Sequence, residues 1–107
     1  MTWQDKRKKE IEKIIEYTVK KFSITKEDLS SKSRKKELVH SRRFLLNILF
    51  ELFEGDKMKQ EEISEIIKKD RTSFIYHRSQ HLLLYKQYKD YKLDFDSFKT
   101  TIKDTVL

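Results

Sequence analysis

A chain of 107 residues with a single glycine, Gly55, and no proline lacks the residues that give turns their positive or fixed φ angles. An antiparallel sandwich of this length would need a turn signal roughly every 8–12 residues. A phosphate-cradling loop would need glycines close together. Helices need neither, and the abundant Lys, Glu, Ile and Leu suit them. The expected fold is therefore all-α, with five to six helices around a long central helix.

Hydrophobic spacing marks the individual helices. Ile11, Ile14, Ile15, Val19 and Phe22 recur at helical intervals with Lys and Glu opposite, which predicts an amphipathic helix over about residues 4–22. Ser23-Ile24-Thr25 breaks the period, and Thr25 with Asp28 forms a capping box for a short turn over about 26–29. From Ser33 a longer helix carries Leu38, Ser41, Leu45, Ile48, Leu49 and Leu52 on one stripe, with Phe44 and Phe53 on its flanks. Gly55 suits the C-terminus of that helix. Met58, Ile63, Ile66 and Ile67 mark a short helix over about 58–67. Asp70 is a good N-cap for the next helix, whose period runs through Phe74, Ile75, Arg78, Leu82 and Tyr85 to about Tyr88. Phe95, Phe98 and Ile102 behind Asp94 predict a last helix over about 94–104.

The length suits one domain over residues 1–107. With 36% hydrophobic and 40% charged residues, its core is modest and depends on aromatic side chains, each of which removes a large area from water. The absence of cysteine excludes a disulfide framework, a thiolate zinc site and a cysteine nucleophile. No apolar run approaches the roughly 20 residues of a membrane span, and the charged N-terminus has no signal-peptide core. A cytoplasmic protein without a membrane partner is expected. His77 and His81 stand i, i+4 like half a metal site, but with only His40 as a third candidate they read as polar packing or phosphate contacts. No Ser-His-Asp or paired-carboxylate arrangement is discernible, so neither a catalytic site nor a cofactor is expected.

The charge, by contrast, is informative. Twenty-five Lys and Arg against eighteen Asp and Glu give +7, which favours a polyanionic partner. From Lys32 to Arg43 the bases Lys32, Arg34, Lys35, Lys36, Arg42 and Arg43 face one acid, Glu37, and Lys6-Arg7-Lys8-Lys9 forms a second basic run. Acids gather instead at Glu51, Glu54, Asp56, Glu61 and Glu62. A short helix, a tight turn and a second helix opening with Arg71-Thr72-Ser73 form the helix-turn-helix pattern over about 58–88. The first turn of a recognition helix faces base edges, where hydroxyls meet thymine methyls or phosphates and a forked Arg spans guanine O6 and N7. The same residues also suit a plain helical hairpin. A helical protein–protein adaptor with basic faces is the alternative function.

The run Ser31-Lys32-Ser33-Arg34-Lys35-Lys36-Glu37-Leu38-Val39-His40-Ser41-Arg42-Arg43, then Glu51-Leu52, Glu62-Ile63 and Asp70-Arg71-Thr72-Ser73-Phe74-Ile75-Tyr76-His77, resembles the C-terminal DNA-binding domain, domain IV, of the bacterial replication initiator DnaA. The order and spacing hold from about Ile11 to Leu82. The resemblance implies a Trp-repressor-like helix-turn-helix fold, a double-stranded DNA partner and a role in replication initiation or transcriptional regulation. By position, Arg42 matches the family Arg that enters the minor groove, and Asp70 and Thr72 match residues that meet base edges. Ser73 keeps the hydroxyl of the family's second Thr. Arg71 and Tyr76 stand where the family has His, and Ser64 where it has Gly. The family's ATPase module has no counterpart in these residues, so DNA reading without ATP-driven chemistry is expected.

The expected DNA-binding set is Lys32, Arg34, Lys35, Arg42, Arg43, Lys69, Asp70, Arg71, Thr72, Ser73, Tyr76 and His77. Lys32, Arg34 and Lys35 read equally as phosphate contacts or solvated charges. Asp70 combines an N-cap with an acceptor for cytosine N4. Trp3 and the triplet Tyr85, Tyr88 and Tyr91 suit core packing or a protein partner on the C-terminal surface.

Overall fold

The structure, a computed structural model, describes residues 3–53 and 60–105. Six helices lie among these residues, with no strand: α1 (Trp3–Phe22), α2 (Lys26–Ser30), α3 (Lys36–Phe53), α4 (Gln60–Glu65), α5 (Arg71–Gln87) and α6 (Lys89–Thr105). The all-α expectation holds. Gly55 and Met58, and the C-terminus assigned to Gly55, lie outside the described residues, as does the side chain of Trp3.

Helix α3 is the spine because its apolar residues are spread over more than one face. Leu38, Leu45, Ile48 and Leu49 are buried on the expected stripe. Phe44, Leu46 and Phe53, read from sequence as flanking or outside the stripe, are buried as well, so neighbours must enclose the helix. Helices α1, α2, α4 and α5 all pack on it. The Phe44 ring meets Phe22, Tyr91 and Phe95 edge-on at 5.2–5.5 Å between centroids, the arrangement that aligns ring edges with opposing π faces. Helix α6 contributes Tyr91, Phe95, Phe98 and Ile102 to the same core.

Two helix starts differ from the spacing-based reading. Helix α3 begins at Lys36 rather than Ser33, because the carbonyls of Ser31 and Ser33 turn toward a side chain instead of joining the helix. Helix α6 begins at Lys89, not near Asp94. Only Tyr88, with φ −121° and ψ 111°, separates it from α5. The apolar face of α5 also lies elsewhere: Phe74, His77 and His81 point inward, whereas Ile75 and Leu82 are exposed. Helical packing accommodates both histidines. His81 Nδ1 is 2.7 Å from the Tyr91 hydroxyl, and its ring lies 4.3 Å from that of Phe95.

A polar network fixes the rotation of α5 against α3. Asn47 Nδ2 donates to the His77 carbonyl at 3.2 Å, and Arg78 Nη1 donates to Asn47 Oδ1 at 3.0 Å and to Glu51 Oε2 at 3.1 Å. Lys99 of α6 donates to the other Glu51 oxygen at 2.8 Å. Burial alone would raise the Glu51 carboxyl, but hydrogen bonds from His81, Lys99 and Arg78 outweigh it and hold the pKa at about 2.

Chain direction changes at two left-handed residues. Ser23 has φ 53° and Lys68 φ 55°. After α1, Ile24 N–H donates to Val19 O and Ser23 N–H to Lys20 O; after α4, Lys69 N–H donates to Ser64 O and Lys68 N–H to Glu65 O. These are paired Schellman bonds, which favour glycine at the position held here by Ser23 or Lys68. A residue with a Cβ pays roughly 1 kcal/mol for that conformation. Lys68→Gly is expected to raise the unfolding free energy by about 0.5–1 kcal/mol despite the added freedom of the unfolded chain. Urea denaturation checks it, and an equal loss of stability would show that the turn does not hold this conformation.

Candidate nucleic-acid interface

Helices α4 and α5 are joined by residues 66–70, and α5 opens on a clean cap. Asp70 has extended backbone, and its Oδ1 accepts from Ser73 N–H at 3.2 Å. The capping leaves the side chains of Arg71 and Thr72 exposed, with Ser73 half-buried. Arg71 leans back on α4: its Nε donates to Gln60 Oε1 at 3.0 Å and lies 3.8 Å from Glu61 Oε1. That contact orients the guanidinium fork without burying it.

Next to this helix start stands the basic loop between α2 and α3. Lys32, Arg34 and Lys35 are exposed on it. A loop without ladder partners must find donors for its carbonyls, and Arg42 supplies them. Its Nε donates to Leu29 O at 2.9 Å, Nη1 to Ser33 O at 2.7 Å, and Nη2 to Asp28 O at 2.7 Å and Ser31 O at 2.9 Å. Lys69, in the turn just before α5, adds a bond from Nζ to Ser31 O at 2.8 Å. The loop is thereby tied to the turn that precedes the second helix of the helix-turn-helix.

This geometry commits Arg42, expected to enter a minor groove, to the loop. The residue is 5% exposed, and its fork is committed to loop carbonyls, so reaching into a groove would strip those carbonyls of their donors. Arg34 is the exposed arginine of the same segment. His77 is 6% exposed, with Nδ1 lacking a partner among the described residues. Burial, then the charges of Arg43, Arg42 and Lys69, push its pKa down to about 4, so it is neutral at pH 7. Tyr76 remains exposed. The pKa of Lys69 is lowered by burial and by Arg42 and Lys32, a sign that positive charge is concentrated here.

Arg43 is half-buried. With Lys21, Arg34, Lys36, Glu37, Phe22, Val39 and His40 it lines an open groove of about 730 Å³ between the end of α1 and the start of α3. Four cations and one acid line it, and Arg34 belongs to both the groove and the loop. Among the described residues no cluster of three or more His, Asp or Glu is placed to hold a metal, and no helix is long and apolar enough to cross a membrane.

Sequence reasoning missed Asn47, whose amide links α3 to α5. Its signal was a lone polar residue inside the run Leu45-Leu46-Asn47-Ile48-Leu49. Arg42 also carried a signal, since it stands four residues after Leu38 and three before Leu45, on the buried stripe.

Arg42→Ala is expected to lower the unfolding free energy by about 3 kcal/mol or more, because buried carbonyls lose charged donors. Arg34→Ala should change stability by no more than about 0.5 kcal/mol. Equal, small effects for both variants in denaturant titrations would contradict the buried role of Arg42.

The comparisons agree with this architecture. The family model described as bacterial dnaA protein helix-turn-helix matches residues 11–80, a span from within α1 through the first turns of α5 that includes the basic loop. No curated protein and no solved structure matches the chain. Since the match takes in well over half of the residues, with α4, the turn, the start of α5 and the loop tied to it, the chain belongs to the bacterial DnaA helix-turn-helix family of DNA-binding domains.

Proposed function

We propose that residues 1–107 form one sequence-specific, double-stranded DNA-binding unit that reads a major groove with the start of α5 and grips the adjoining strand with the basic loop. The observation that carries this reading is the joint anchoring of the loop by Arg42 and Lys69 beside the first turn of α5. One rigid body then presents two kinds of contact, phosphate clamps that position and side chains that read bases.

Roles follow from exposure and chemistry. Arg71 offers two Nη groups to guanine O6 and N7 while Gln60 steadies its Nε. Thr72 meets base edges by its hydroxyl, and Asp70 keeps Oδ2 for cytosine N4 while Oδ1 caps the helix. Arg34 takes the minor-groove position, where a narrow A·T-rich groove attracts a guanidinium. Lys32, Lys35 and Arg43 hold phosphates, and Ser73 and Lys69 set the geometry from behind. Family membership favours a role in replication initiation or in regulation of transcription, exercised without catalysis.

Selection from a random duplex pool should yield a defined site whose binding weakens steeply with salt, with a log–log slope of about −0.9 per neutralised phosphate. Arg71→Ala should cost roughly 1–3 kcal/mol on that site and much less once its key G·C pair is replaced. Equal losses on both duplexes would make Arg71 a backbone clamp. Absence of salt-dependent duplex binding would favour the adaptor reading.

A further inference from the structure

The outward face of α5 is unusually apolar for a charged chain. Its buried side is defined by Phe74, His77 and His81, so at 100° per residue the opposite side is centred on Thr72, Ser79 and their neighbours. Ile75 and Tyr76 stand on either side of that line, 48% and 54% exposed. Tyr76 is one turn beyond Thr72 and Ile75 one turn beyond Arg71, so each extends a row that begins with a base-reading residue. Leu82 and Leu83 are also exposed, but lie about 10 Å farther along the helix axis. Exposed large apolar groups side by side mark an interaction surface.

The face that must enter the groove sets what these groups meet. The major groove presents one apolar feature, the C5-methyl of thymine. Resting on the reading proposed above, we infer that Ile75 and Tyr76 are specificity-determining residues that recognise thymine methyl groups beside the pair read by Arg71. Ile75 is branched and short, so it covers a methyl that lies close to the helix axis. The Tyr76 ring, edge-on to His77 at 5.3 Å between centroids, offers a flat apolar surface. Neither side chain carries charge, so they add discrimination between thymine and cytosine without adding to the salt dependence.

Deoxyuridine tests this directly, because it keeps every hydrogen-bonding edge of thymidine and lacks only the methyl. The probe is the duplex selected from a random pool, with each thymine replaced in turn. Wild-type protein should lose about four-fold in affinity at one or two positions, the effect of one buried methyl group. Ile75→Ala should abolish the loss at one of them and Tyr76→Ala at another, while Tyr76→Phe keeps it and all variants retain the preference for the G·C pair read by Arg71. Both residues are half-exposed, so the variants should keep wild-type helicity by circular dichroism. Indifference of the wild-type protein at every thymine, with salt-dependent duplex binding intact, would overturn this inference and leave the DNA-binding reading standing. Undiminished uridine penalties in both alanine variants would also overturn it, and loss of all duplex binding by the wild type would overturn both.

Discussion

The buried guanidinium of Arg42 is the constraint on which the basic loop between α2 and α3 depends. A charged side chain at 5% exposure carries a desolvation cost that only full hydrogen bonding offsets. Here the acceptors are main-chain carbonyls of Asp28, Leu29, Ser31 and Ser33, so the bonds that stabilise the charge also shape the chain. The segment from α2 to α3 is held without a helix, a strand or a glycine. Its cations Lys32, Arg34 and Lys35 stay exposed. Ordering entropy is spent in folding and not again when a polyanion binds.

The second helix of the helix-turn-helix is positioned by a different device. Asn47 bridges the Arg43 and His77 carbonyls, and Arg78 joins Asn47 to Glu51. Shape alone leaves two packed helices some freedom to slide or roll, whereas hydrogen bonds to fixed atoms select one rotation. With α5 so set, His77 and His81 face the core, and Thr72, Ile75 and Tyr76 face outward. Lys69 then couples the two devices, since it lies in the turn before α5 and bonds to the loop that Arg42 holds.

Much of this was readable in the residues. The capping box at Thr25 and Asp28 and the N-cap at Asp70 are present as their side chains require, because capping is local and depends on a few adjacent groups. Helix type followed from the apolar period for the same reason. The roles of individual arginines were harder to read, since Arg34 and Arg42 belong to one basic run and differ only in which tertiary neighbours surround them. Arg42 lies at helical spacing from Leu38 and Leu45 and is drawn inside; Arg34 precedes α3 and stays out. On α5 His77 and His81 lie inside while Ile75 and Leu82 stay out, and for His81 Tyr91 and Phe95 offer the imidazole a hydrogen bond and ring contacts that an aliphatic side chain could not use. Lys68 gave no turn signal at all, since it occupies a left-handed position that local preference assigns to glycine.

On the proposed function, Arg42 serves the fold while the loop it holds and the start of α5 meet DNA. Following the arginine Nε–H and backbone amide resonances by NMR during titration with a selected duplex tests it most directly. Amide shifts should concentrate at residues 32–36 and 69–79, with the Arg42 Nε–H signal keeping its position and slow exchange throughout. An Arg42 signal that moves or exchanges rapidly on binding, or shifts confined to α1 and α6, would contradict it.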